Sequence, residues 1–171
     1  MRKITRLSAT NIVLIGFMGS GKSSIGRLLA KEKKSYFLDT DAMIESAEGK
    51  SVQDIFASSG ESYFRFLEQK TVLWLKDNVK KAVVSTGGGM LVHCEELGNV
   101  GKIIYLKVPF ETILSRLNTQ ELEKRPLFKD VRKAKIMYDE RNTVYEKRAD
   151  IIIEADSDID TVLSRVLAAI V

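Results

Sequence analysis

The residues Gly16-Phe17-Met18-Gly19-Ser20-Gly21-Lys22-Ser23 fit the pattern G-x-x-x-x-G-K-[ST]. An apolar run, Ile12-Val13-Leu14-Ile15, precedes them and reads as a buried strand; Ser24 to Lys33 follows and reads as a helix. Strand, glycine loop and helix in that order are the context in which this pattern binds phosphate. Glycines let the backbone turn tightly, so that its N–H groups point inward at anionic oxygens. The positive end of the following helix faces the same point. In such a loop Lys22 reaches the β and γ phosphates of a nucleotide and the Ser23 hydroxyl binds Mg²⁺. The alternative, a glycine-rich loop with an incidental lysine, does not account for the flanking strand and helix.

The rest of the chain alternates short apolar runs with amphipathic stretches. Further strands are expected at 36–38, 82–85, 103–106 and 151–153. Helices are expected at 52–58, 61–79, 110–117 and 131–148, with Phe64, Leu67, Thr71, Trp74 and Leu75 on one face of the second. A last helix carries the stripe Ile159, Val162, Leu163, Val166, Leu167 and Ile170. Apolar strands without alternation are buried on both faces, which predicts an α/β fold with a parallel sheet covered by helices on each side. At 171 residues the chain has the length of one domain. Pro109 follows a strand and suits the start of a helix. The polar stretch 118–130, with Lys124, Arg125 and Pro126, reads as a mobile loop over the site.

The net charge is +4, a mild excess whose positive residues are interspersed with acids. It fits a pocket for small anions better than a nucleic-acid surface, which would call for a basic arm or stripe. The single cysteine, Cys94, excludes an internal disulfide. The apolar run after the basic Met1-Arg2-Lys3 is too short for a signal core or a membrane span, so a cytoplasmic protein is expected.

Four clusters bear on the chemistry. Asp39-Thr40-Asp41 follows the second strand, and carboxyl ends of parallel strands line the ligand crevice. One carboxylate there suits Mg²⁺, the other a reacting hydroxyl; helix capping explains the residues equally well. Glu61, Arg65 and Glu68 share one helix face, as does a surface ion pair of little consequence. Arg141 and Tyr145 share a face of the 131–148 helix, near Tyr138 and Arg148. Arginine forks bind carboxylate or phosphate through two parallel hydrogen bonds. Arg116 suits either stacking on an adenine ring or a favourable helix C-terminal charge. Finally, Gly87-Gly88-Gly89 follows the third strand at Ser85-Thr86, where a backbone must approach a ligand or bend sharply. Nucleoside triphosphatases that carry an aspartate after this strand differ here, which argues against a GTPase or motor ATPase.

In this order these motifs resemble the shikimate kinases, from about Asn11 to about Ile153. They comprise Gly16 to Ser23, Asp39-Thr40-Asp41, Gly60-Glu61 with Phe64-Arg65 and Glu68, Gly87-Gly88-Gly89, Arg125-Pro126-Leu127, and Arg141 with Tyr145. The resemblance implies a three-layer P-loop fold spanning 1–171, with a five-stranded parallel sheet in order 2-3-1-4-5. It implies a lid at about 118–130 and substrate-binding helices within about 41–79. By resemblance Lys22, Asp41 and Arg125 are catalytic, and ATP is held by Gly19, Ser20, Gly21, Lys22, Ser23, Ser24, Arg116 and Arg125. Shikimate would be held by Asp41, Arg65, Gly87, Gly88, Gly89 and Arg141, and Mg²⁺ by Ser23 with Asp39 behind it. The segment Glu154 to Ser157 would approach the adenine. A monomer using shikimate and ATP, without nucleic acid or membrane, is expected. Competing readings are another small-molecule kinase such as a gluconate or nucleotide kinase, a nucleotide-dependent regulatory module, and a nucleic-acid binder.

Overall fold

The structure, a computed structural model, describes residues 10–117 and 126–170. Five strands form one parallel sheet in the order β2-β3-β1-β4-β5, as the resemblance implied. They are β1 (Asn11–Ile15), β2 (Phe37–Asp39), β3 (Val83–Ser85), β4 (Gly101–Lys107) and β5 (Ile151–Glu154). Between them run α1 (Lys22–Glu32), α2 (Thr40–Glu48), α3 (Val52–Asn78), α4 (Met90–His93), α5 (Phe110–Arg116) and α6 (Val131–Arg148). Helix α7 (Ile159–Ala169) closes the described chain, and short 3-10 turns occupy Glu95–Asn99 and Pro126–Lys129.

The central strands alternate between two buried layers rather than between core and water. Leu14, Val83, Ile104 and Leu106 join Ile25 and Leu29 of α1 and Val162 and Val166 of α7 in one layer. Val13, Ile15, Val84, Ile103 and Tyr105 join Val72 and Leu75 of α3 and Tyr145 of α6 in the other. This is why their sequences are apolar without a break. The edge strand β5 departs from that expectation. Ile152 is 44% exposed while Ile153 is 6% exposed: β5 is the last strand of the sheet, and among the described residues no further strand pairs with its outer side.

Helix α3 is kinked at Gly60, whose φ of 80° and ψ of 173° lie outside the helical region. The break falls between the two helices read from the sequence. A small satellite core of Ile44, Ile55, Phe64 and Leu67 packs α2 against α3 around it. Trp74, placed with this face by its spacing, is instead 51% exposed, and Val72 is buried. Trp74 sits on the shoulder of the stripe, about 100° from Leu75 around the helix.

At the opposite end from the glycine loop, Asn11 is fully buried and ties three segments together. Its amide donates to Val79 O at 2.8 Å and Val100 O at 2.9 Å, and its carbonyl accepts Ala82 N–H at 3.0 Å. Loss of one partner leaves the others buried and unsatisfied. Asn11→Ala should therefore lower unfolding free energy by about 2–4 kcal/mol in urea titration, with activity per folded molecule retained.

Candidate active site

The glycine loop lies between β1 and α1, at the carboxyl end of the sheet. Gly19 and Gly21 take φ of 83° and 87°, conformations that turn successive N–H groups inward. Lys22 is buried, and its ammonium donates to Gly16 O at 2.8 Å and Phe17 O at 3.0 Å, folded over the loop it would serve. Ser20 is buried, and its hydroxyl has no hydrogen-bond partner among the described residues. Gly19, Gly21, Lys22, Ser23 and Ser24 line a cleft of about 1220 Å³ together with Asp39, Asp41, Gly87 and Gly88.

The structure separates the surroundings of the two aspartates. Asp39 is the N-cap of α2: its Oδ1 accepts from Asp41 N at 3.1 Å and Ala42 N at 3.3 Å. Its Oδ2 accepts the Ser23 hydroxyl at 3.1 Å, so capping and the phosphate site share one carboxylate. Asp41 caps nothing; its Oδ1 is buried without a hydrogen-bond partner among the described residues. Burial first, then the charges of Asp39, Glu68 and Glu45, push its pKa up to about 6, against the pull of Lys22.

The Arg65 cluster is not the surface pair that spacing alone allowed. Arg65 Nη1 donates to Glu68 Oε2 at 2.7 Å, and Glu68 is fully buried. Glu61, exposed, accepts from Arg65 Nη2 at 2.9 Å. Burial holds the Glu68 carboxyl above the ordinary range although Arg65 draws it down. Across the site, Arg141 is half-buried, 5.8 Å above the Phe17 ring, and makes no ion pair among the described residues. Burial presses its pKa down, against the pull of Tyr145, Glu68 and Glu61.

The triple glycine joins these groups. A Cβ at Gly87 would lie 2.5 Å from Asp41 Oδ1, one at Gly88 3.1 Å from Arg141 Nη1, and one at Gly89 2.6 Å from Arg65 Nη1. Each missing side chain is thus the space taken by a different charged group. The resemblance had grouped the run with these three residues, but which glycine abuts which charge is seen only in the structure.

Arg116 donates to Ala155 O at 3.2 Å and Ser157 O at 3.5 Å, uniting the two features expected near an adenine. Arg116 also lines the cleft, beside Leu117 and Leu127. Arg125 and 118–125 of the expected lid lie outside the described residues. Cys94 is buried, its thiol pushed up to about 11 by that burial, and His93 ends α4 exposed. Among the described residues no helix is long and apolar enough to cross a membrane.

A parallel sheet in this order, with the phosphate cradle after its central strand, is the architecture of the P-loop phosphotransferases. Comparison with known proteins narrows the class. Residues 18–171 match the family model described as shikimate kinase. The shikimate kinase of Helicobacter hepaticus is 50% identical over 147 residues, which cover 86% of this chain and 87% of that protein. A shikimate kinase structure from Acinetobacter baumannii, in complex with shikimate, superposes with a TM-score of 0.87 at 31% identity, covering 96% and 94% of the two chains. That from Aquifex aeolicus superposes with a TM-score of 0.75 at 36% identity, covering 93% and 94%. The chain belongs to the shikimate kinase family.

Burial of Asp41 favours its protonated form in the folded state. The stability this contributes is present below pH 3.8 and is lost as pH rises through about 6. At neutral pH the ionised carboxylate therefore destabilises the fold, by roughly 3 kcal/mol at most. Asp41→Asn should be more stable than the parent at pH 7.5 by about 1–3 kcal/mol in urea titration, with the gain vanishing toward pH 4. A gain independent of pH would contradict burial of the charge as its source.

Proposed function

We propose that this chain transfers the γ-phosphoryl group of ATP to the 3-hydroxyl of shikimate, giving shikimate 3-phosphate and ADP, a step toward aromatic amino acids. One observation carries the reading: Gly87 and Gly88 line the same cleft as the phosphate cradle, and Gly87, Gly88 and Gly89 pack against Asp41, Arg141 and Arg65 in turn. A phosphate cradle and a raised carboxylate in one cleft, with two arginines against the glycine run that borders it, suit a hydroxylated carboxylic acid.

In this reading Arg65 and Arg141 hold the substrate carboxylate by charge-assisted hydrogen bonds, each contributing about 1.5–3 kcal/mol. Gly87, Gly88 and Gly89 lie along the ring. Asp41 accepts a hydrogen bond from the attacking hydroxyl and, with its pKa near 6, is ionised and able to take the proton at neutral pH. The loop N–H groups and Lys22 stabilise charge on the transferred group, with Lys22 leaving Gly16 O and Phe17 O for phosphate oxygens. Arg116 faces the base, and Arg125 contacts both phosphates and substrate. Turnover is expected on the order of 1–100 s⁻¹.

The Ser23 hydroxyl and Asp39 carboxylate, 3.1 Å apart, are hard oxygen donors that fit Mg²⁺, which favours few protein ligands beside water and phosphate. Ser23 would hold it directly and Asp39 behind it; when bound it neutralises charge on the phosphates. A cytoplasmic monomer without nucleic-acid or membrane partners belongs to the same proposal.

ADP release from MgATP should require shikimate and disappear in Lys22→Ala, whose circular dichroism stays that of the parent. Release indifferent to shikimate would remove the acceptor assignment. Arg65→Ala and Arg141→Ala should raise KM for shikimate far more than for ATP; equal losses would place the arginines elsewhere. The value of kcat/KM for shikimate should fall about tenfold per pH unit below about 6, a limb set by Asp41 among Asp39, Glu45, Glu68 and Lys22. Asp41→Asn should lose most activity and the limb with it.

A further inference from the structure

Two buried hydroxyls beyond the residues assigned to substrate fasten the glycine run. Thr40 Oγ1 accepts the Gly87 N–H at 3.1 Å, and the Tyr145 hydroxyl donates to the Gly88 carbonyl. Thr40 is fully buried and Tyr145 is 1% exposed. Each stands beside a charged residue of the site on its own helix. Thr40 opens α2 immediately before Asp41, and Tyr145 lies one turn after Arg141 on α6. Asp41 and Arg141 are the same two side chains that Cβ atoms at Gly87 and Gly88 would meet. Each helix thus contributes a charge that abuts one glycine and a hydroxyl that binds that glycine's backbone.

We propose that Thr40 and Tyr145 are positioning residues that hold Gly87-Gly88-Gly89 at the spacing at which Asp41 and Arg141 engage one acid substrate, which rests on the functional reading above. Glycine has the widest backbone freedom of any residue, and three in sequence carry no side chain that packing could hold. The main chain secures the run at its two ends. Thr86 N–H bonds Leu14 O at 3.2 Å, while Met90 N–H bonds Gly87 O at 3.1 Å and Val92 N–H bonds Gly89 O at 3.0 Å. The Gly87 N–H and Gly88 carbonyl between those anchors are held by Thr40 and Tyr145. The Tyr145 ring is itself fixed, packed on Tyr105 at 5.1 Å and within the core that includes Met90 and Leu91. The two hydroxyls therefore connect α2 and α6 through the glycine backbone. A change in that backbone shifts the distance between Asp41 and Arg141, and a misplacement of about 1 Å costs up to a hundredfold in rate.

The test is steady-state kinetics of Tyr145→Phe, Thr40→Val and Thr40→Ser, with Tyr105→Phe as the control. The Tyr105 hydroxyl sits in the same layer and bonds Asn142 Oδ1 at 2.6 Å, with no bond to a glycine. Tyr145→Phe and Thr40→Val should each raise KM for shikimate on the order of tenfold and leave KM for ATP within about twofold. Thr40→Ser keeps the acceptor and should restore the parent value, and Tyr105→Phe should match the parent. Tyr145→Phe preserves the ring and carries the test by itself if Thr40→Val does not fold. The proposal is overturned if KM for shikimate in Tyr145→Phe stays at the Tyr105→Phe value, or rises equally with KM for ATP. A parent protein that phosphorylates no shikimate would overturn the functional reading, and this proposal with it.

Discussion

The close approach of backbone to charge at Gly87, Gly88 and Gly89 is the constraint on which the rest of the site depends. Side chains there would meet Asp41 and Arg65 at 2.5 and 2.6 Å, well inside van der Waals contact, and Arg141 at 3.1 Å, a tight one. Three helices, α2, α3 and α6, deliver one charged group each to a single turn of chain after β3. That turn lies next to the phosphate cradle because β3 pairs with β1 in the parallel sheet. Strand order therefore sets the separation between the group that would give up a phosphoryl and the groups that would hold its acceptor.

Electrostatics around that turn are arranged against stability. Asp41 has a buried oxygen without a partner among the described residues, and Glu68 has another in its Oε1. Arg141 is half-buried without an ion pair among those residues. Each is costly for a folded chain, and in the proposed reading an acid with hydroxyls and a carboxylate would supply the missing partners. Glu68 has a further use: fully buried, it fixes the Arg65 guanidinium that would otherwise sample many rotamers.

Much of this was legible in the chain. The phosphate loop, the alternation of elements, the break near Gly60 and the ordered motifs led to the fold and the family. What stayed open depended on neighbours distant in sequence. Spacing put Glu61, Arg65 and Glu68 on one helix face but could not say that Glu68 is buried and Glu61 exposed. Nor could it choose between capping and chemistry for Asp39 and Asp41, because Asp39 does the first while reaching Ser23, sixteen residues away. Trp74 and Ile152 were read as apolar and therefore covered, yet burial at the shoulder of a stripe or on an edge strand depends on what packs outside it.

By itself the sequence determined which groups are present and how each local element forms. A glycine loop between strand and helix has one dominant use, and helical or strand periodicity follows from bond geometry within a few residues. The family resemblance grouped Asp41, Arg65, Gly87 and Arg141, but only the tertiary structure decided how these groups meet and that Thr40 and Tyr145 join them. Thr40, Asp41, Arg65, Gly87, Arg141 and Tyr145 lie up to about a hundred residues apart in the chain, and no local rule joins them. Their convergence comes from the pairing of β2, β3 and β1 and the packing of α2, α3 and α6 around those strands. Burial then sets their charge, because a pKa responds to desolvation and to neighbours in space rather than to neighbours along the chain.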